Sequence, residues 1–262
     1  MKNVVYILFA SSFFFLKAQE GIEVKLVKSI SLKADTFVGV NMFDELFYIK
    51  NDVLSKQTQL EYHSYQNNLY GSLNSVDILN SLESTLFYKN FNTVIQLDRR
   101  LGGISKIDFN QSNSFSTISH ASAASNKRLW IFNSDTQQLQ VYNPKQDIVE
   151  ASSQSIQETI VDFYSNYNFC WILTKTKLLQ YNIYGNQLNS YTLEGYDAFV
   201  YYKDYFVLKK NNQLYSLAVA DEIPKGIALP ELSIKDFSVT NETLYIYNGK
   251  ELHSFKINLN KE

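Results

Sequence analysis

Residues Ser72–Phe109, SLNSVDILNSLESTLFYKNFNTVIQLDRRLGGISKIDF, divide into four short extended segments separated by turns. The segments are Ser75–Leu79 (SVDIL), Leu86–Lys89 (LFYK), Thr93–Asp98 (TVIQLD) and Ile104–Phe109 (ISKIDF). β-Branched and aromatic residues alternate with polar ones in each, the pattern of a half-buried strand rather than a helix face. A unit of four such strands recurring about every 40 residues is the sequence signature of a β-propeller blade.

The rest of the chain repeats the unit. Aligning the second segment of each copy gives anchors at Leu46 (LFYIK), Leu86 (LFYKN), Leu129 (LWIFN), Cys170 (CWILT), Tyr205 (YFVLK) and Leu244 (LYIYN), at intervals of 40, 43, 41, 35 and 39. A polar or glycine-bearing turn and a further apolar-alternating run follow each anchor, with Lys209–Asn212 (KKNN) and Asn248–Lys250 (NGK) as the plainest hairpin signals. An inner-strand candidate precedes each anchor: Thr36–Val40, Ser75–Leu79, Ser116–Ala121, Thr159–Phe163, Asp197–Tyr201 and Ser233–Ser238. The last copy has only three strands, and Glu23–Leu32 (EVKLVKSISL) is a strand left over before the first. The expectation is an all-β, six-bladed β-propeller closed by the N-terminal strand in the last blade, which would pair an otherwise open edge. Seven blades or a strand sandwich are the alternatives. Nothing reads as a linker, so residues 20–262 are expected to form a single β-propeller domain.

The chain begins MKNVVYILFASSFFFLKAQ. A basic start, an apolar run from Val4 to Leu16 and small Ala18 before Gln19 read as a secretory signal peptide over residues 1–19. The run is shorter than the ~20 residues a membrane-spanning helix needs, and no transmembrane segment is expected in the mature chain. Cys170, the single cysteine, reads as a buried small hydrophobe and cannot form an internal disulfide. An exported chain without disulfides suits a bacterial periplasm. Loss of Lys2 and Lys17 with the leader takes the formal charge from −2 to −4, and neither sign dominates a long segment, so no nucleic-acid partner is expected.

The most regular polar feature is an inner-strand aspartate: Asp77, Asp162, Asp197 and Asp236 precede their anchors by eight or nine residues, and His120 takes the matching place in the third copy. Facing a central channel, they would gather four carboxylates and an imidazole around a cation or a basic ligand group. The competing reading has each carboxylate accepting backbone N–H groups of a blade turn. Tyr62, Tyr65 and Tyr70 surround one polar loop, and Tyr181, Tyr184 and Tyr191 flank another; they read either as interface aromatics or as ordinary strand packing. Asp44–Glu45 and Asp221–Glu222 read as solvated turn residues.

Catalytic constellations are missing. His63, His120 and His253 lie in different copies without metal spacing, no G-x-S-x-G elbow occurs, and Arg99, Arg100 and Arg128 cannot supply a sialidase's three convergent arginines. Trp130 and Trp171 sit one residue after their anchors, as blade packing rather than the repeated tryptophans of quinone-dependent dehydrogenases. No catalytic residue, cofactor or metal is therefore expected. A propeller hydrolase or lactonase with a metal at the channel, and a sugar- or ligand-binding module, remain the other classes.

The stretch SVDILNSLESTLFYKNFNTVIQLDRRLGGISKIDF, together with a leader ending LKAQ, resembles exported propeller proteins of Bacteroidota-type bacteria, among them a periplasmic accessory of the type IX secretion translocon. The resemblance implies a compartment, the periplasm and the periphery of the outer membrane, and a partner type, an envelope or outer-membrane protein complex. It carries over no site residue, and the leading expectation for the whole chain is a non-enzymatic interaction scaffold that binds other envelope proteins.

Overall fold

The computed structural model describes residues 22–113 and 116–259. The expected signal peptide, residues 1–19, lies outside the described residues. After β1 (Ile22–Ser31), the chain forms antiparallel four-strand meanders. The first is β2 (Thr36–Val40), β3 (Leu46–Lys50), β4 (Val53–Gln57) and β5 (Tyr62–Tyr65). The second is β6 (Ser75–Asp77), β7 (Glu83–Tyr88), β8 (Thr93–Asp98) and β9 (Gly103–Asp108), which is the stretch quoted above. Then come β10 (Ile118–Ala123), β11 (Leu129–Asn133), β12 (Gln138–Asn143) and β13 (Ile148–Ser152), followed by β14 (Ile160–Ser165), β15 (Phe169–Thr174), β16 (Lys177–Asn182) and β17 (Gln187–Thr192). The remaining strands are β18 (Ala198–Tyr202), β19 (Tyr205–Lys210), β20 (Gln213–Ala218), β21 (Lys225–Ala228), β22 (Asp236–Thr240), β23 (Thr243–Tyr247) and β24 (Glu251–Ile257).

The second and third strands of each meander are covered on both faces by neighbouring sheets, so they need not alternate. All five residues of β11 are buried, Trp130 among them. Turn chemistry fixes the registers. Asn51–Asp52, Asn211–Asn212 and Asn241–Glu242 form two-residue connections with positive φ at both positions, the geometry whose twist matches paired strands and that Asn tolerates best. In the turn after β16, Gly185 has φ +79 and lies against the preceding sheet, where a Cβ would stand 2.6 Å from the Ser152 carbonyl oxygen.

The expectation of six blades is corrected by the hydrogen bonding of β1. Four blades stand as separate four-stranded sheets, β2–β5, β6–β9, β10–β13 and β14–β17. The other strands make one eight-stranded sheet in the order β18-β19-β20-β21-β1-β24-β23-β22. β1 pairs antiparallel with β24 from Val24↔Ile257 to Ser31↔Glu251, as a closing strand would. Its first residues also pair in parallel with β21, through Ile22↔Ile227 and Glu23↔Ala228. A strand hydrogen-bonded on both edges cannot terminate a blade, so it fuses the last two strand groups. The repeat pattern carries no sign of this, because the joint rests on two residue pairs.

Apolar clusters fill the gaps between successive sheets. Trp130, Phe132 and Val141 meet Cys170, Ile172 and Tyr181, while Leu54 and Phe47 meet Leu86 and Leu97. Val207, Leu214 and Ile227, on one side of β1 in the eight-stranded sheet, meet Leu244, Ile246 and Phe255 from the other side, so the sheet folds over its own core. Leu32, Phe37 and Val40 pack on Tyr247 and Leu252 and complete the circuit.

Candidate functional site

The first strands of the six strand groups, β2, β6, β10, β14, β18 and β22, line a central cavity of about 620 Å3. They run in the same direction. The last residues of β22 and β2 meet through Thr240 Oγ1 and the Val40 carbonyl (2.7 Å), and the first residues of the same strands meet through Asp236 and Phe37. Ser122 and Ser165, late in β10 and β14, share a 2.6 Å hydrogen bond between their hydroxyls.

The aspartates do not form a ring of free carboxylates. Asp77 Oδ1 accepts the Leu79 N–H at 2.8 Å and its Oδ2 accepts the Ala123 N–H of β10 at 2.7 Å. Asp162 accepts the Phe163 N–H and, across the channel wall, the Phe199 N–H of β18, both at 2.8 Å. Asp236 Oδ2 accepts the Phe37 N–H of β2 at 2.9 Å. Each carboxylate thus staples its strand to the next one around the ring, at alternate strand groups. The sequence pattern suggested bonds within a turn; the bonds between neighbouring groups could not be inferred from spacing. Asp77 and Asp162 line the cavity, whereas Asp236 and Asp197 do not. The Asp197 side chain is 53 % exposed and pairs with Lys209 at 3.2 Å. Convergence of four carboxylates is therefore corrected: among the described residues, no three His, Cys, Asp or Glu side chains gather as a metal site.

Burial raises the Asp77 carboxyl above its ordinary range despite its two N–H donors, and raises that of Asp162 to about 6. Asp236 is also raised by burial, against the opposing pull of the Phe37 N–H and the Lys235 and Lys209 charges. His120 does line the cavity. Its ring stacks on Phe163 with centroids 5.4 Å apart, its Nδ1 meets Ser119 Oγ at 2.9 Å, and burial, aided by the Lys89 charge, lowers its pKa to about 4. The imidazole is neutral at pH 7.

The six tyrosines divide. Tyr62 and Tyr184 are exposed, at 58 % and 75 %. Tyr181 is core, packed with Trp130 and Cys170, so its place among interface aromatics is corrected. Tyr65 packs at the edge of the core between the first two blades, and Tyr70 packs on Tyr88 and Phe91. Tyr191 packs edge-on to Phe206 and donates its hydroxyl to the Val219 carbonyl. Both loop clusters thus use some tyrosines as ordinary strand packing.

Two features escaped sequence reasoning. Glu45, read as a solvated turn residue, is only 2 % exposed: Lys56 Nζ lies 3.0 Å from its Oε1, Arg99 reaches the same oxygen at 3.2 Å, and Asn41 Nδ2 donates to Oε2 at 2.7 Å. Burial works to raise the Glu45 carboxyl, but hydrogen bonds from Asn41, Lys56 and Arg99 and the Lys56 charge hold it below its ordinary value. A lysine inside the buried run of β4 was the available signal. The second feature is an asymmetry between the faces of the ring. Because the first strands run alike, all first-to-second and third-to-fourth strand turns emerge on one face. That face exposes Met42, Phe43, Leu60, Leu82, Tyr167, Tyr184 and Ile223, whereas the loops of the opposite face expose Leu69 and Phe91.

No protein-family model matches the chain, and no curated protein matches it in sequence. Solved structures do match. A chain in the crystal structure of the mitotic checkpoint complex superposes with TM-score 0.61 at 8% identity, covering 98% of each chain. The Neurospora crassa Pan2 WD40 domain gives TM-score 0.58 at 9% identity over 87% of this chain and 76% of that one. A catalytically inactive H270A virginiamycin B lyase from Staphylococcus aureus gives 0.54 at 9% identity over 88% of this chain and 99% of that one. The chain has an all-β propeller fold. At these identities the likeness extends to the fold alone. Among the described residues no helix is long and apolar enough to cross a membrane.

Proposed function

We propose that the protein is a non-enzymatic interaction scaffold that docks envelope proteins through the loop face bearing Met42, Phe43, Leu60, Leu82, Tyr167, Tyr184 and Ile223. The concentration of exposed apolar side chains on one face carries this reading, since large exposed apolar groups mark contact surfaces and binding residues commonly ride on loops held by a rigid scaffold. The engagement of the channel groups also favours a scaffold over an enzyme. The cavity carboxylates are engaged by backbone N–H groups of the next strand, and the His120 ring is stacked on Phe163 with its Nδ1 against the Ser119 hydroxyl. Occurrence of the fold in the mitotic checkpoint complex is compatible with such a role.

The finer reading rests on the export-like leader and on the resemblance of Ser75–Phe109 to exported propellers: a periplasmic accessory of the outer-membrane type IX secretion complex. The test is affinity capture of the tagged protein from gently solubilised envelopes of its native host. Stoichiometric recovery of an outer-membrane translocon component, lost on Phe43→Asp with Ile223→Asp, is the expected result. Recovery of the protein alone and monomeric would overturn the scaffold reading.

A further inference from the structure

The exposed apolar residues of the docking face are not held alike. Leu60, Tyr184 and Ile223 ride on outer turns, whereas Met42 and Phe43 form the tip of the β2–β3 loop. Met42 also lines the central cavity, which places the tip near the axis of the ring. The tip stands between two buried posts, Asn41 and Glu45. The Asn41 N–H donates to the Glu45 carbonyl and the Asp44 N–H to the Asn41 carbonyl, both at 3.1 Å. Asn41 Oδ1 accepts the N–H groups of Phe43 (3.0 Å) and Glu45 (3.1 Å). That orientation turns Asn41 Nδ2 to Glu45 Oε2, while Glu45 Oε1 takes Lys56 and Arg99. From the other side, the Asn241 amide donates to the Met42 carbonyl at 3.1 Å, and the Arg99 guanidinium lies 5.9 Å from the Phe43 ring centroid. The loop is fixed from several directions in the free protein.

A buried ion pair is a poor source of net stability, since apolar side chains of similar volume commonly do as well or better. Here the charges of Lys56 and Arg99 lead through Glu45 to Asn41, the residue that shapes the loop. Binding through side chains that are already ordered avoids the ordering cost of flexible ones, and Met and aromatic residues are enriched at interface centres. We infer that Met42 and Phe43 are the anchor of the docking face, held in binding position by the buried network of Asn41, Glu45, Lys56 and Arg99. The inference rests on the scaffold reading above and deepens it. The partner it fits is a protein with an apolar pocket for the tip and, at the rim, a hydrogen-bond acceptor for the exposed Arg99 guanidinium. Asn41 and Glu45 are positioning residues, buried beneath the contact.

Two measurements on the intact protein test it. Backbone amide NMR relaxation of the free protein should give residues 41–45 order parameters of about 0.85, equal to the strands, falling below about 0.6 in Glu45→Met/Lys56→Met. Glu45→Gln/Lys56→Met, which keeps an oxygen for Asn41 Nδ2, should restore them. In the envelope capture described above, Met42→Ala and Phe43→Ala should each lower recovery of the translocon component at least tenfold, and by more than Leu60→Ala, Tyr184→Ala or Ile223→Ala does. Glu45→Met/Lys56→Met should lower it as far with both tip side chains intact, and Glu45→Gln/Lys56→Met should regain it. A mobile tip in the parent, or recovery indifferent to Met42→Ala and Phe43→Ala, overturns the inference and leaves the scaffold reading standing. A parent that recovers nothing overturns both.

Discussion

Replacing Lys56 with methionine tests the buried ion pair of the first blade, onto which Arg99 of the second blade closes. The Lys56 and Glu45 side chains are 3 % and 2 % exposed, with Nζ and Oε1 3.0 Å apart, and Nζ also donates to the Arg99 carbonyl at 2.6 Å. Methionine keeps the apolar stem and removes the charge. Stranding one member of a buried pair costs about 3–5 kcal/mol. For a domain of this size that lowers Tm by roughly 6–20 °C. Arg99 still reaches Glu45, but its own side chain is 58 % exposed and screened by solvent, which places the expected loss toward the lower end of that range. The Glu45→Met/Lys56→Met double variant removes both charges and should recover most of the loss, to within about 2 kcal/mol of the parent. The pH dependence has a definite sign. Because the folded pKa of Glu45 lies below its ordinary 4.5, the pair's stabilisation is present above that pH and is lost as pH falls through the folded value. In Lys56→Met the carboxyl loses its cation, so the penalty should be largest at pH 7 and should shrink at pH 4. Thermal unfolding followed by far-UV circular dichroism at both pH values measures this. A loss below about 3 °C at pH 7, or a double variant melting below the single one, would refute the argument.

Four further outcomes are expected. Asp162 should titrate near pH 6 by carboxyl NMR; since its folded pKa lies above the unfolded value, the native state holds the extra proton and this group's contribution to stability falls as pH rises from about 4 to about 6. A midpoint below 4 would contradict the burial argument. The His120 ring resonances should move only near pH 4, and because its folded pKa is depressed, this group's contribution to stability is lost as pH falls below about 6.5. Gly185→Ala should destabilise by about 1–3 kcal/mol in urea titration, since its φ of +79 is strained for alanine and the new Cβ meets the Ser152 carbonyl; a neutral result would mean the turn relaxes freely. Deleting residues 22–31 should expose the edges of β21 and β24 and convert a monomeric size-exclusion profile to oligomers, whereas an unchanged monomer would show that β1 is dispensable for ring integrity.

The strand pattern was legible because propeller strands are short, evenly spaced and apolar on predictable faces. The segment expected at Thr36–Val40 is β2 with the same bounds, and the NGK turn is a hairpin connection. Sheet membership was not legible: β1 has the composition of an ordinary strand, and its parallel contact with β21 depends on where the ring brings two distant chain segments. The same limit applies to the site. Spacing located Asp77, His120 and Asp162 on channel-lining strands, but Asp197 has the same offset as Asp162 and nevertheless turns to Lys209 at the surface. Asp162 is the third residue of β14, whereas Asp197 stands just before the first residue of β18, so equal offsets from the anchor do not give equal places in the strand. The buried Glu45 was illegible because its partners come from β4 and from the loop after β8, 11 and 54 residues away in the chain.

The double pairing of β1 also sets the order in which the molecule can be completed. β1, the first strand among the described residues, finds its partners only when Lys225–Ala228 and Glu251–Ile257 have been made, about 200 residues later. Ring closure is therefore the most sequence-distant event in folding, and contacts of that kind form slowly because long loops must be closed first. Until then the nascent protein carries two unpaired strand edges and an unfinished apolar seam around Phe255 and Ile257. That interval is a point of control from outside. A peptide copying residues 22–31, supplied during refolding, should compete with β1 for the same two edges and leave the native strand unpaired, which makes the last joint of the molecule addressable in trans.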